Sequence, residues 1–174
     1  MPALRDRLPP VDCSKPERDV LLLPSGFASP ERTHLGLEDL ASIEYRLREG
    51  QAHDALHKVR ASIKNYNYNL AFKVKYVHGQ RGNTRAQTLM KSLAKTKHAA
   101  ADKYRKARAA LISLGLSEND PTLKPLHDSD LWMKDINQPH ALGDGTKEEP
   151  WFWTTGRPQG MTEAEDIEWS LDGM

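Results

Sequence analysis

TRAQTLMKSLAKTKHAAADKYRKARAALISL, residues 84–114, decides how this chain folds. Ala86, Met90, Leu93, Lys97, Ala100, Tyr104, Ala107, Leu111 and Leu114 recur in alternating steps of four and three. That period places them on one face of a helix, with Lys97 the only charge among them. Gly115 follows directly, as a C-terminal cap should. Arg105, Lys106 and Arg108 sit near that end, where cations suit the helix dipole. At about 1.5 Å per residue the helix is roughly 45 Å long.

Working upstream, no proline occurs between Gly36 and Gly115. Gly36 is expected as the N-cap of a first long helix, with Glu38 and Asp39 in its opening turn. Apolar residues recur at Leu40, Ile43 and Leu47, then after Gly50 at Leu56, Val59, Ile63, Tyr66, Leu70 and Val77. The phase shifts across Gly50, which predicts a bend or stutter there. His78 to Thr84 reads as a turn, with Asn83 or Thr84 capping the next helix. Two long helices joined by a short turn lie antiparallel. The expected fold is therefore all-α: a long antiparallel, coiled-coil-like two-helix hairpin over residues 37–115 with its turn at 78–84. Ala86, Ala100 and Ala107 allow close approach opposite Tyr66 or Leu70. A hairpin alone buries little, so it needs the tail or a partner for stability.

The flanks differ in character. Residues 1–36 hold six of the eleven prolines and read as an irregular, extended arm, with Val20 to Leu23 as an apolar patch that docks on the helices. Residues 116–174 form an acidic tail. Within it Asp128 to Trp132 starts a short helix, Pro139 and Gly143 to Gly145 break structure, and Thr162 to Glu165 is a capping box that opens a terminal helix.

Composition narrows the functional classes. A hydrophobic share of 38% argues against a thick core. A lone cysteine, Cys13, excludes an internal disulfide and points to a reducing compartment. No apolar run approaches a membrane span, and the N-terminus lacks a signal sequence. An intracellular chain that does not engage a membrane is expected. P-loop, dinucleotide-binding, nucleophile-elbow and Cys/His metal patterns are all missing, so neither a cofactor nor a small-molecule substrate is indicated.

The formal net charge of +1 conceals a split. From Lys58 to Arg108 there are 14 Lys or Arg against Asp102 alone, whereas from Gly115 to Met174 there are 4 against 13 Asp or Glu. Such asymmetry marks a nucleic-acid partner, an anionic surface, or a tail that neutralises its own core. Arg60, Lys64, Lys75, Arg81, Arg85, Lys91, Lys95 and Lys106 are the residues that would grip phosphates without reading bases. The nucleus is the compartment such a DNA partner requires, and deleting residues 116–174 should then strengthen binding. The competing and preferred reading is a solvated helical surface with the acidic tail folded against it. Tyr66, Tyr68, Phe72 and Tyr76 could stack on bases, but their spacing is read as core or seam edge. Trp151, Phe152 and Trp153 are either an exposed partner anchor or, as preferred, extra core packed on the hairpin. His53 and His57, four apart on the first helix, are the weakest candidates. They could share a zinc ion in a hydrolase, but Asp54 replaces the expected Glu and no third ligand is evident.

Four strings in order carry a family likeness: EYRLREGQAHDAL at 44–56, GQRGNTRA at 79–86, ADKYRKARAAL at 101–111 and WFW at 151–153. Together they resemble the region C-terminal to the catalytic core in fungal transposases of the Kyakuja-Dileera-Zisupton type, over roughly residues 37–170. The resemblance implies a non-catalytic segment. That family's metal-dependent carboxylate site lies in an RNase H-like domain upstream, which 36 residues cannot hold, and none of its catalytic residues maps onto this chain. The expectation is a helical interaction or oligomerisation module, derived from a mobile element, that contacts itself or a protein partner through the hairpin.

Overall fold

A computed structural model of the chain describes residues 22–133 and 148–155. The regular elements among those residues are all helical, with no strand. A short helix α1 (Ser29–His34) precedes two long ones, α2 (Glu38–Tyr76) and α3 (Gln80–Ser113), which pack along each other as a hairpin. Three single 3-10 turns, Pro24–Gly26, Asp128–Asp130 and Trp151–Trp153, lie in the flanks. Cys13, the prolines before residue 22, the break at 139–145 and the capping box at 162–165 fall outside the described residues.

Both glycine-capped ends have one geometry. After α1, Gly36 adopts φ +62°, its amide reaches Thr33 O, and the Leu37 amide reaches Arg32 O. After α3, Gly115 adopts φ +116° and bonds Ile112 O, while the Leu116 amide reaches Leu111 O. Each is a paired closure that needs a left-handed residue, hence glycine. Gly36 therefore ends α1 rather than capping α2, whose N-cap is Leu37. The arm is correspondingly not extended up to residue 36. Pro30 sits in the first turn of α1, where its missing N–H would have had no partner.

The turn of the hairpin is shorter than expected. α2 ends at Tyr76 and α3 starts at Gln80, so Val77, His78 and Gly79 alone reverse the chain. Gly79 at φ +82° is the N-cap, and its carbonyl receives the Asn83 amide. Thr84 bonds back to Gln80 O within the helix instead of capping it. The Val77 side chain comes to 3.3 Å of where a Cβ on Gly82 would stand, so glycine there lets the turn fold onto the first turn of α3.

α2 runs unbroken through Gly50. Its inward line is Leu37, Ala41, Glu44, Arg48, Ala52, Ala55, Val59 and Ile63, all buried except the half-buried Arg48. These residues step by four and three across Gly50 without losing phase, so no stutter is required. Leu40, Ile43 and Leu47, read as seam, lie on the outside. Glu44 is tolerated inside because the Ser25 amide and hydroxyl donate to its carboxylate at 2.8 and 2.7 Å, and Arg48 pairs with it at 3.1 Å. The Ser113 hydroxyl donates to Ser25 O, which ties the same loop to the end of α3.

The core occupies the half of the hairpin away from the turn. Ala52, Ala55, Leu56, Val59 and Ile63 of α2 meet Ala100, Ala101, Tyr104, Ala107 and Leu111 of α3. The tail completes this cluster with Leu123, Leu126, Leu131 and Phe152. It is thus part of the core, supplying the apolar area two helices lack. Toward the turn the last buried residues are Ile63 and Met90.

Candidate functional site

The cations of the hairpin fall into two sets with different tasks. The first set holds the tail. Without helix or sheet pairing, an irregular segment leaves its carbonyls in need of donors. Arg60 donates from Nε and Nη2 to Phe152 O at 2.8 and 2.6 Å, and Nη2 also reaches Thr155 O. Lys97 donates to Leu131 O at 3.2 Å, Arg105 to Leu126 O at 3.0 Å, and Arg108 to Leu123 O and Glu118 O at 2.7 and 2.6 Å. Neutral donors follow the same rule: Tyr104 to Lys124 O, Trp151 to Pro125 O, and Trp153 to Trp132 O. Arg105 also pairs with Asp128 at 2.6 Å, with His98 beside it at 3.6 Å. The hydrogen bond from Arg105, its charge and His98 hold the Asp128 carboxyl below its ordinary value. Arg105 and Arg108, read as dipole partners, are carbonyl clamps instead.

Arg60 was expected to meet phosphates. It is occupied by the tail, and burial lowers its affinity for its proton. Lys64, one turn on, is half-buried, and burial together with the Arg60 charge lowers its pKa too.

The second set surrounds the half of the hairpin nearest the turn. Residues 55–101 contain ten Lys or Arg and no Asp or Glu. Lys75, Arg81, Arg85, Lys91 and Lys95 are exposed there. Lys106 is exposed as well, but it lies beside the tail-covered core, about 16 Å along α3 from Lys95.

The aromatic residues of this half part company with expectation. Tyr66 is a seam-edge residue, half-buried with Lys97 Nζ 5.2 Å from its ring centroid. Tyr68, Phe72 and Tyr76 face solvent at 73%, 50% and 58% exposure. They form a ridge with Lys64 at strict four-residue steps, Lys64–Tyr68–Phe72–Tyr76, displaced around α2 from the seam line through Val59, Ile63 and Tyr66, whereas Leu70, expected on the seam, is 40% exposed. Phe72 and Tyr76 rings lie 5.1 Å apart at 43°, and Lys75 Nζ stands 5.2 Å from the Tyr76 centroid. Asn65 and Asn69, hydrogen-bonded to each other, run alongside. The four-residue period was visible in the sequence and points outward once Ile63 and Tyr66 are placed on the seam.

Trp151, Phe152 and Trp153 pack on the hairpin. Phe152 is fully buried, edge-on to Trp151 at 6.0 Å and tilted against Trp153 at 5.3 Å, and Trp151 sits 6.0 Å from Tyr104. His53, Asp54 and His57 are exposed on α2, and no group of three His, Cys, Asp or Glu able to hold a metal occurs among the described residues. A shallow open cleft lined by Ala61, Ser62, Asn65, Leu93 and Thr96 carries no carboxylate, imidazole or thiol. No described helix is long and apolar enough to cross a membrane.

No family model, curated protein or solved structure matches the chain.

Proposed function

We propose that this chain is a non-catalytic helical interaction module, and that it works by presenting the outer faces of a hairpin whose inner face is closed by its own tail. The order of the four quoted strings supports an origin in a fungal transposase of the Kyakuja-Dileera-Zisupton type. The observation that carries the reading is apolar surface left outside the core. Leu40, Ile43 and Leu47, spaced i, i+3 and i+7, line the outside of α2, with Leu47 69% exposed. That spacing is the seam of a helix pair lacking its second helix. Two copies laying these lines together would form an isologous dimer. Sedimentation velocity tests it: a dimer should populate with rising concentration and disappear in Ile43→Glu/Leu47→Glu. A monomer at every attainable concentration counts against self-association.

A second reading is favoured by the exposed cations near the turn. Without carboxylates over residues 55–101, that half of the hairpin is a positive field suited to a DNA backbone, which would place the protein in the nucleus. Binding to a random-sequence duplex should then weaken steeply with salt. Absence of binding at low salt removes this reading.

A further inference from the structure

We propose that the ridge Lys64–Tyr68–Phe72–Tyr76 is a platform for single-stranded nucleic acid, with ring faces stacking on bases and the adjacent lysines neutralising phosphates. The proposal deepens the nucleic-acid reading and rests on it for the phosphate contacts alone.

Exposure is the first argument. Tyr68, Phe72 and Tyr76 contribute nothing to the core, yet they stand in one line on the carboxylate-free half of the molecule. A surface that only met duplex phosphates would have no use for three rings, because paired bases offer no faces to stack on. Bases of a single strand do, and stacking tolerates any sequence. Charge placement is the second argument. Lys64 lies one turn before Tyr68, Lys73 and Lys75 flank Tyr76, and Lys75 already covers one face of the Tyr76 ring. A base arriving there takes the place of the Lys75 ammonium, which is then free to meet the neighbouring phosphate.

Other occupants fit less well. A second copy using the same ridge would bring two carboxylate-free, lysine-rich surfaces together, and like charges repel. An acidic amphipathic segment needs a broad apolar stripe to bury. Here the ridge is flanked by Asn65, Asn69 and Lys73 on one side and by Asn67, Ala71 and Lys75 on the other, so polar side chains border it along most of its length.

The test is fluorescence anisotropy on the full chain with a labelled oligothymidylate, an oligouridylate and a duplex of the same length. The single strands should bind more tightly than the duplex, with a log–log salt slope near −2 if about three lysines neutralise phosphates. Tyr68→Ala and Phe72→Ala should each weaken single-strand binding roughly five- to a hundredfold while leaving duplex binding and the melting curve in place. Equal affinity for both forms, untouched by the ring substitutions, overturns the platform but spares the backbone reading. No binding of any oligonucleotide at low salt overturns both. Self-association abolished by the same ring substitutions assigns the ridge to a second copy and also overturns the proposal.

Discussion

The Arg60 guanidinium and the Phe152 carbonyl are bonded twice, 92 residues apart in sequence. The acceptor of both bonds is a backbone carbonyl, so at this contact the acidic tail is held through a dipole. Arg60→Ala leaves Phe152 O and Thr155 O without this donor and should cost about 1 to 3 kcal/mol. Arg60→Lys, with one point donor in place of a fork, should recover part of that. Denaturant unfolding followed by fluorescence reads it, since Trp151 and Trp153 flank the contact.

The same chemistry predicts weak salt dependence of the tail contact. Charge pairing on an open surface fades as the screening length falls from about 10 Å at 0.1 M to about 3 Å at 1 M. Short hydrogen bonds to half-enclosed carbonyls do not depend on that length. Near-ultraviolet circular dichroism of the tryptophans should therefore persist into roughly molar salt. Loss of the signal over that range would assign the tail to charge–charge attraction instead.

Phe152 and Tyr104 bear the greatest share of the shared core, both with no exposed surface. Phe152→Ala opens a cavity between the helices and should cost about 3 to 5 kcal/mol. Tyr104→Phe is milder. It removes the 2.6 Å donor to Lys124 O and should cost about 1 to 3 kcal/mol. Burial pushes the Tyr104 hydroxyl well above the ordinary phenol value of 10.0, outweighing the Arg108 charge, so Tyr104 should stay protonated where an ordinary phenol ionises. Ultraviolet titration of the tyrosines checks that.

Glu44 makes stability depend on acid. Burial alone would raise its carboxyl, but the two Ser25 donors and Arg48 outweigh burial and hold it below the ordinary value of 4.5. A group whose folded pKa is depressed contributes stability that is fully present above the unfolded value and is lost as pH falls through the folded one. The loop at residues 23–27 should therefore loosen as pH drops below about 4.5. Glu44→Gln should flatten that part of the stability–pH curve and cost about 1 kcal/mol at pH 7. An unchanged slope would show that Glu44 does not report the Ser25 contact.

How much of this was legible depends on what each residue pairs with. α3 was readable because Ala86 to Leu114 face the core without interruption. The start of α2 was not, because its inward line carries Glu44 and Arg48, whose partners are each other and a serine nineteen residues away. Leu40, Ile43 and Leu47 then looked like the seam by default. The sequence offers Arg60 as a phosphate cation, Lys97 as a charge on the seam and Arg105 and Arg108 as dipole partners; their carbonyl acceptors, which every residue has, leave no mark in it. Tyr68, Phe72 and Tyr76 read as core or seam edge because aromatic residues at helical spacing usually are. Only the position of Ile63 and Tyr66 on the seam turns their ridge outward.

The tail that closes the core also constrains how its charge can be tested. Deleting residues 116–174 would remove Leu123, Leu126, Leu131 and Phe152 from the cluster, so any change in binding would be confounded by unfolding. Residues 156–174 contain none of these core residues and hold five Asp or Glu against Arg157. Glu163→Gln, Glu165→Gln, Asp166→Asn and Glu168→Gln together remove four negative charges and change no residue between 116 and 155. If those charges compete for the cations near the turn, the variant should bind an oligothymidylate about fivefold more tightly at low salt, equivalent to about 1 kcal/mol. The gain should vanish near molar salt, where charges act over only about 3 Å. A gain that survived high salt would be a packing effect. No gain at low salt would show that the terminal carboxylates do not compete for the hairpin.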